Sequence, residues 1–260
     1  VVLVHGSPGT RRELLRVAAL LAPGHRVLAP DLPGFGASTR RLPDYSFRTH
    51  AQYLIRWLDG LGVRSAHLVG YSMGGGVVLS MADLAPERVA SMTLLSAIGA
   101  QEFELVGDYH INHAVHGVQL AAITALQEMT PHMGALDGLM LDRAYARNFY
   151  DSDQRPLRAI LSSVAMPVLL LHGTRDPLVP YDAAREHARL MPQSELVTFD
   201  DDHDPGDAAD DAIPGREAPR RGLDPGLVLR HDEPAALDDR GGQLTVRRRI
   251  VTVDPAAENR

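Results

Sequence analysis

Gly70-Tyr71-Ser72-Met73-Gly74-Gly75 is the stretch that decides the fold of this 260-residue chain. It follows the apolar residues 66–69 and leads into the apolar residues 77–79, which predicts a strand, a sharp turn and a helix with Ser72 at the apex. The bend needs glycine at positions 70 and 74, because a side chain there would collide with the neighbouring strand or helix. A serine held in this way is a candidate nucleophile, although the pattern G-x-S-x-G also occurs by chance in loops.

Apolar runs alternate with helical patterns along the chain on both sides of this bend. Continuously apolar short strands separated by helices are typical of a mostly parallel sheet that is covered on both faces, which is the doubly wound α/β class. Ser46 is predicted to cap the helix that precedes the bend. The predicted strands are residues 1–4, 26–29, 66–71, 89–95, 167–171 and 195–199, and the predicted helices of the core are residues 12–21, 47–58, 73–84 and 181–190.

The composition is that of one enzyme-sized domain and excludes several classes of protein. Hydrophobic residues make up 45% of the chain, the formal net charge is -7, and the absence of cysteine excludes disulfides and cysteine-based zinc sites. The acidic excess provides no positive field for nucleic acid, and the cluster of residues 247–249 is too small to change that. No apolar stretch approaches the ~18 residues that cross a bilayer. We expect no nucleic-acid partner, no integral membrane segment in this chain and a cytoplasmic location.

Polar residues gather where the predicted strands end, which is where ligands bind in parallel sheets. His5-Gly6-Ser7-Pro8-Gly9 follows the first strand, residues 31–36 follow the second, and Ser72 follows the third. Asp176 follows the penultimate strand and His203 the last. With its order of nucleophile, acid and base, the chain resembles the α/β-hydrolase superfamily, and the resemblance covers residues 1 to about 203.

The resemblance implies a role for each of these residues. Ser72 would be the nucleophile, His203 the base that takes its proton, and Asp176 the acid that orients the imidazole. The backbone N–H groups of Ser7 and Met73 would form the oxyanion hole. His5 would be structural, no cofactor or metal would be needed, and the fold would be that of the α/β hydrolases with the strands before residue 1 missing.

Each assignment has a simpler alternative. Ser72 could be an ordinary turn serine, and Asp176 could be a turn residue or helix cap before Pro177. His203 departs from the family pattern, because relatives place glycine before this histidine whereas here the run is Asp-rich. His172 and His187 are the other candidates for the base, but the first lies within a strand and the second on the following helix.

About 65 residues separate the strands that end near residue 96 and begin at residue 167, which predicts a helical lid. We expect residues 1–100 and 166–204 to form the core and residues 101–165 to form the lid. Residues 205–260 are expected to form a disordered tail. The lid is predicted to contain helices over residues 110–126 and 136–150 with a break at Pro131. Histidines recur at positions 110, 113 and 116, but no accompanying pattern favours a metal site there.

The favoured reaction is hydrolysis of a carboxylic ester through an acyl-enzyme, with a small-molecule ester or lipid-like compound as substrate. The same three residues also serve carbon-carbon bond hydrolysis of a diketone and cofactor-free perhydrolysis in relatives of this type. A third possibility, from another class, is a non-catalytic binding module that keeps the pocket without turnover.

Overall fold

The computed structural model describes residues 1–39, 42–103, 107–129 and 143–203. Within these residues, a five-stranded parallel sheet has its strands in the order of the chain. This arrangement confirms the mostly parallel sheet that the sequence predicts. The strands are β1 (Val2–Val4), β2 (Ala66–Tyr71), β3 (Val89–Leu95), β4 (Val168–Gly173) and β5 (Glu195–Phe199).

Helices connect the strands, because parallel neighbours need a crossover rather than a tight turn. Short 3-10 turns cover Arg11–Leu14, Pro86–Arg88 and Gln101–Phe103. The described part of the chain includes no helix that is both long and apolar enough to cross a bilayer. The helices are α1 (Leu15–Leu21), α2 (Phe47–Gly60), α3 (Met73–Leu84), α4 (Tyr109–Met129), α5 (Arg143–Asp151), α6 (Arg155–Ser163) and α7 (Tyr181–Leu190).

Residues 26–29, which the sequence predicts as a second strand, form only an isolated bridge to β1. Leu3 donates its N–H to the Leu28 carbonyl at 2.8 Å, and Leu28 donates to the Val1 carbonyl at 2.9 Å. Pairing does not continue because Pro30, which comes next, has no N–H to donate. The prediction of a full strand was wrong, although the segment does lie beside β1.

Side chains are buried on both faces of the sheet, as the doubly wound class requires. On one face α2, α3 and α6 pack over β2 to β4, with buried residues that include Leu58, Leu68, Val77, Leu94, Leu161 and Leu170. On the other face α1 packs over β1 and β2, with buried residues that include Leu3, Leu14, Ala18, Val69 and Leu95. The predicted cap of α2 is confirmed, since the Ser46 hydroxyl accepts the Thr49 N–H at 3.3 Å.

The described residues between β3 and β4 are largely helical. Its first helix, α4, begins one residue before the prediction and extends three residues beyond it. Pro131 and residues 136–142 lie outside the described residues, as does the predicted tail 205–260. The third helix, α6, buries Leu157, Ile160 and Leu161 in the main core rather than standing apart from it.

His50 on α2 is a buried histidine whose ring nitrogens make no hydrogen bond of normal geometry within the described residues. Burial lowers the pKa of its imidazole from 6.5 to about 3. Between these values the unfolded chain binds a proton that the folded chain does not, so the free energy of unfolding falls as pH falls below about 6.5.

Replacing His50 with leucine is expected to reduce this loss of stability in acid. At pH 5 the loss due to His50, relative to pH 7, is about 2 kcal/mol, since each pH unit contributes about 1.4 kcal/mol. Urea unfolding at pH 7 and pH 5 measures the difference for the wild type, for His50→Leu and for His25→Leu as an exposed control. An equal loss in wild type and His50→Leu would contradict the prediction.

Candidate active site

Ser72 lies between β2 and α3 in a backbone conformation that serine rarely adopts. Its φ is 50° and its ψ is -118°, whereas the residues before and after it belong to a regular strand and a regular helix. A positive φ costs a non-glycine residue free energy, so surrounding contacts must hold the bend. The side chain is half-buried at the carboxyl end of the sheet.

The glycines on either side of Ser72 allow close backbone approach, as the sequence predicts. A Cβ atom placed on Gly70 would lie 2.7 Å from the Gly74 carbonyl oxygen and from a methyl group of Val78 in α3. A Cβ atom on Gly74 would lie 2.3 Å from the Val4 carbonyl oxygen in β1. Both distances are shorter than a van der Waals contact, so only glycine fits.

Gly74→Ala is therefore expected to destabilise the fold by several kcal/mol, because the added methyl group meets rigid backbone rather than a flexible side chain. Thermal unfolding followed by circular dichroism measures the effect. Gly60→Ala is the matched control, since nothing lies within 4 Å of a Cβ atom at that position on the end of α2. A similar melting temperature for Gly74→Ala and the wild type would contradict the packing described here.

Asp176 and His203 form a close pair. The Nδ1 atom of His203 lies 2.6 Å from Oδ2 of Asp176, whose side chain is fully buried. The other carboxylate oxygen, Oδ1, accepts the N–H groups of Leu178 and Val179, each at 2.9 Å. Since the carboxylate engages Nδ1, Nε2 is the His203 nitrogen that can exchange a proton with another group.

These contacts keep Asp176 ionised. Burial by itself raises the pKa of the Asp176 carboxyl, but the hydrogen bonds from His203, Val179 and Leu178 outweigh it and hold the pKa below its usual value. A buried negative charge next to an imidazole stabilises the protonated ring. The pair can therefore accept a proton at Nε2 and hold it until a leaving group takes it.

The loop that carries His203 rests on the turn that carries Asp176. A Cβ atom on Gly173 would lie 2.2 Å from the Asp202 carbonyl oxygen, so the two backbones are nearly in contact. Arg175 donates its N–H to the Asp201 carbonyl at 2.9 Å and a guanidinium N–H to the Asp200 carbonyl at 2.6 Å. The sequence signal for this anchoring is the glycine that ends β4.

Tyr71 connects His203 with the serine bend. Its hydroxyl donates to the His203 carbonyl at 3.0 Å, and the two rings lie with their centroids 5.3 Å apart. The histidine is thus next to the residue that precedes Ser72. Among the described residues no hydrogen bond joins the Ser72 hydroxyl to the His203 ring. Sequence reasoning missed the contribution of Tyr71, because its position in the motif carries no constraint on residue type.

The two backbone groups expected to bind an oxyanion belong to residues near Ser72. Met73 begins α3, and the first N–H groups of a helix have no partner within it. The loop after β1 lies close by, since a Cβ atom on Gly6 would lie 3.1 Å from Cβ of Ser72. Ser7 follows directly, and its own hydroxyl oxygen is buried without a hydrogen-bond partner among the described residues.

The other buried histidines near the site are engaged with the backbone. His5 accepts the Leu32 N–H at Nε2 (2.9 Å) and lies 2.7 Å from the Gly6 carbonyl at Nδ1, which fits a structural role. Nε2 of His172 lies 2.8 Å from the Val179 carbonyl, and Nε2 of His187 accepts the Ala100 N–H at 3.0 Å. His203 differs from these residues in that its ring is hydrogen-bonded to a carboxylate, that of Asp176, through Nδ1.

The histidines of α4 contact aromatic rings. His113 stacks on Tyr150 with ring centroids 4.2 Å apart, and His116 stacks on Phe149 at 5.1 Å. Nδ1 of His116 lies 2.9 Å from the Asn112 carbonyl. Within the described ranges, no group of three potential metal-ligating side chains converges on one point.

Comparison with known proteins agrees with this geometry. The family model described as alpha/beta hydrolase fold matches residues 1–115, and the model described as TAP-like protein matches residues 146–212. The structure of an esterase from Exiguobacterium antarcticum superposes with a TM-score of 0.60 at 22% identity, covering 78% of this chain and 84% of that one. At that identity the likeness shows the fold alone.

Two curated relatives extend the comparison. A dihydrolipoyllysine-residue acetyltransferase component of the acetoin cleaving system from Pseudomonas putida is 32% identical over 76% of this chain, which spans 56% of that protein. A protein of Pseudomonas savastanoi pv. phaseolicola that is named as a carbamate hydrolase, RutD, is 30% identical over 77% of this chain and 84% of its own length. With the fold, the serine bend and the order of the matched segments in agreement, the chain belongs to the α/β-hydrolase superfamily.

Proposed function

We propose that this protein is a hydrolase that cleaves carboxylic esters through a covalent acyl-enzyme on Ser72. The observation that carries the proposal is the strained serine at the end of β2 together with the contact between His203 and the buried carboxylate of Asp176. An isolated serine hydroxyl is too weak a nucleophile at neutral pH, so it needs a base. Holding Ser72 at positive φ costs conformational free energy, and such strain is typical of reactive residues.

In acylation, the Ser72 oxygen attacks the ester carbonyl carbon while its proton passes to Nε2 of His203. Asp176 stabilises the imidazolium that results, through the 2.6 Å contact at Nδ1. The tetrahedral intermediate collapses when the bond to the alkoxide breaks and Nε2 returns the proton to that oxygen. Water then attacks the acyl carbon with His203 again as base, which releases the acid and restores Ser72.

The oxyanion of both intermediates would be bound by the N–H groups of Ser7 and Met73. The start of α3 adds a partial positive charge at the same place. Donors of this kind lower the barrier by about 3 kcal/mol each, because they are already oriented before the charge develops. The Ser72 hydroxyl and the His203 ring would come within hydrogen-bond distance when substrate is bound, as catalytic contacts are often long in free enzymes.

The lid would set the substrate range from its position beside α3. Phe149 on α5 packs edge-on against Phe47 with ring centroids 6.3 Å apart, and a Cβ atom on Gly76 would lie 2.8 Å from the Phe47 ring. Gly76 is in the first turn of the helix that begins at the serine bend. Through these contacts the lid would approach Ser72, where it would exclude water and shape the pocket.

Side chains at the end of α5 attach the lid to the core. Asn148 donates to the Tyr45 carbonyl at 2.8 Å, Asp151 accepts the Tyr45 N–H at 2.9 Å, and Ser152 accepts the Phe47 N–H at 3.2 Å.

The α4 helix, which also belongs to the predicted lid, carries no Asp, Glu, Lys or Arg between Tyr109 and Gln127. This uncharged stretch of α4 would favour an uncharged, apolar acyl or alcohol group in the substrate where it lines the pocket.

A fluorophosphonate probe followed by peptide mapping tests the proposal. We expect covalent labelling of Ser72 in the folded wild type. A series of p-nitrophenyl esters from acetate to laurate would give the preferred chain length, and aryl carbamates would test the chemistry in the name of the Pseudomonas savastanoi relative. Folded protein that stays unlabelled would instead support the non-catalytic binding module.

A panel of other substrates separates the remaining reactions of the same three residues. A diketone formed by ring cleavage tests carbon-carbon bond hydrolysis, and peroxide with a carboxylic acid tests perhydrolysis. If either is turned over with a higher kcat/KM than every ester in the series, ester hydrolysis is not the main activity.

A further inference from the structure

Tyr71 contacts three segments of the candidate site: the serine bend, the loop of His203 and the loop after β1. It directly precedes Ser72 at the end of β2, its hydroxyl binds the His203 carbonyl at 3.0 Å, and its ring faces the imidazole. Its ring edge also supports the loop after β1, since a Cβ atom on Gly6 would lie 3.0 Å from Cε1 of Tyr71. The residue itself is 8% exposed, so these contacts are fixed by packing.

We propose that Tyr71 is a positioning residue that fixes the distance between the base His203 and the nucleophile Ser72. This inference rests on the proposed function, because it assigns a second task to the site described there. Tyr71 would act through the backbone of His203 and would not touch the substrate.

Two other contacts of the loop hold the His203 ring and the backbone before His203. Asp176 holds the ring of His203 at Nδ1, and Arg175 holds the carbonyls of Asp200 and Asp201. Neither of these two contacts is made by the backbone of His203 itself. The position of that backbone determines where rotation of the side chain can place the ring. The Tyr71 hydroxyl binds the carbonyl of that residue and so fixes the second point that determines where Nε2 lies.

The same contact ties the loop to the nucleophile. Tyr71 and Ser72 are consecutive, and the Ser72 N–H donates to the Leu95 carbonyl of β3 at 3.0 Å, so both residues move with the sheet. A displacement of about 1 Å between reacting groups can slow an enzyme about a hundredfold. A contact that keeps base and nucleophile on one rigid element therefore has a large effect on rate.

Tyr71→Phe tests the proposal, because it removes the hydroxyl and keeps the ring. We expect kcat for a soluble p-nitrophenyl ester to fall about tenfold or more while KM changes less than about twofold, since the substrate pocket is untouched. Phosphonylation of Ser72 should slow by a similar factor. Tyr53→Phe on the outer part of α2 is the matched control and should leave both rates unchanged.

A merely structural role would lower the melting temperature without changing the rate per folded molecule. Incorporation of 4-aminophenylalanine at position 71 separates the two, because it restores an N–H donor at the same place and should recover most of the lost rate. The low-field proton resonance of the His203 Nδ1 hydrogen bond should broaden or shift in Tyr71→Phe and return with the amino group.

The outcomes distinguish this inference from the proposed function. Wild-type kcat and an unchanged low-field resonance in Tyr71→Phe would overturn the positioning role while leaving the ester hydrolase intact. Absence of labelling and turnover in the wild type would overturn the proposed function. In that case the low-field resonance alone decides whether Tyr71 orders His203: a resonance in Tyr71→Phe like that of the wild type would overturn the inference.

Discussion

Ser72→Ala will lower ester hydrolysis by at least a factor of about a thousand and will abolish fluorophosphonate labelling. The hydroxyl is the proposed nucleophile, and without it only the oxyanion groups and substrate binding remain to assist attack by water. The fold should persist, because alanine removes only the hydroxyl and keeps the backbone contacts that hold the bend. Initial rates with a p-nitrophenyl ester, measured at equal concentrations of folded protein, give the factor.

Ser91→Ala is the control for this experiment. Ser91 lies on β3, where its hydroxyl contacts only the exposed His67 side chain among the described residues, so its loss should not alter the rate. If Ser72→Ala retained more than about a tenth of the wild-type rate, another residue would have to be the nucleophile. Mapping the labelled peptide in that variant would identify it.

Asp176→Asn is expected to reduce kcat about a thousandfold to ten-thousandfold with little change in KM. An asparagine amide can donate a hydrogen bond to Nδ1, which would place the proton of His203 on Nε2 and leave that nitrogen unable to act as a base. The oxygen of the amide can still accept the N–H groups of Leu178 and Val179, so the turn after β4 should keep its shape.

Asp182→Asn serves as the matched control, since Asp182 is an exposed carboxylate on α7 that pairs with Arg185 only at the surface. Stopped-flow measurement of p-nitrophenol release separates acylation from deacylation, and both should slow because His203 acts in both. A rate for Asp176→Asn within about tenfold of the wild type would show that the carboxylate is not part of the reaction machinery.

Much of the core could be predicted from the sequence because its apolar runs are short and clearly bounded. The bounds of β2, α3, β3, α7 and β5 agree with the predicted residues. Proline lies within two residues of the end of α3 and of both ends of α7, and it has one of the strongest local effects on the backbone. The pattern around Ser72 was informative for the same reason, since strain and close packing leave few choices of residue.

Other features depend on contacts that a linear pattern does not contain. The packing of α6 into the core depends on the path of the chain after α5, whereas the failure of residues 26–29 to pair as a full strand could have been predicted from Pro30. The approach of Tyr71 to His203 joins residues 132 positions apart. Such contacts are set by tertiary packing, which overrides local preference.

The order of the strands governs when the chain can become reactive during synthesis. A domain generally folds as a unit, and the buried core joins β1, β2 and β3 to β4 and α6, so we expect this core to form only after β4 has been added. Until then Ser72 would have neither the proposed base nor the proposed carboxylate and would be unreactive. The imidazole of His203 would arrive when β5 docks beside β4, which would delay hydrolysis until the described core has folded.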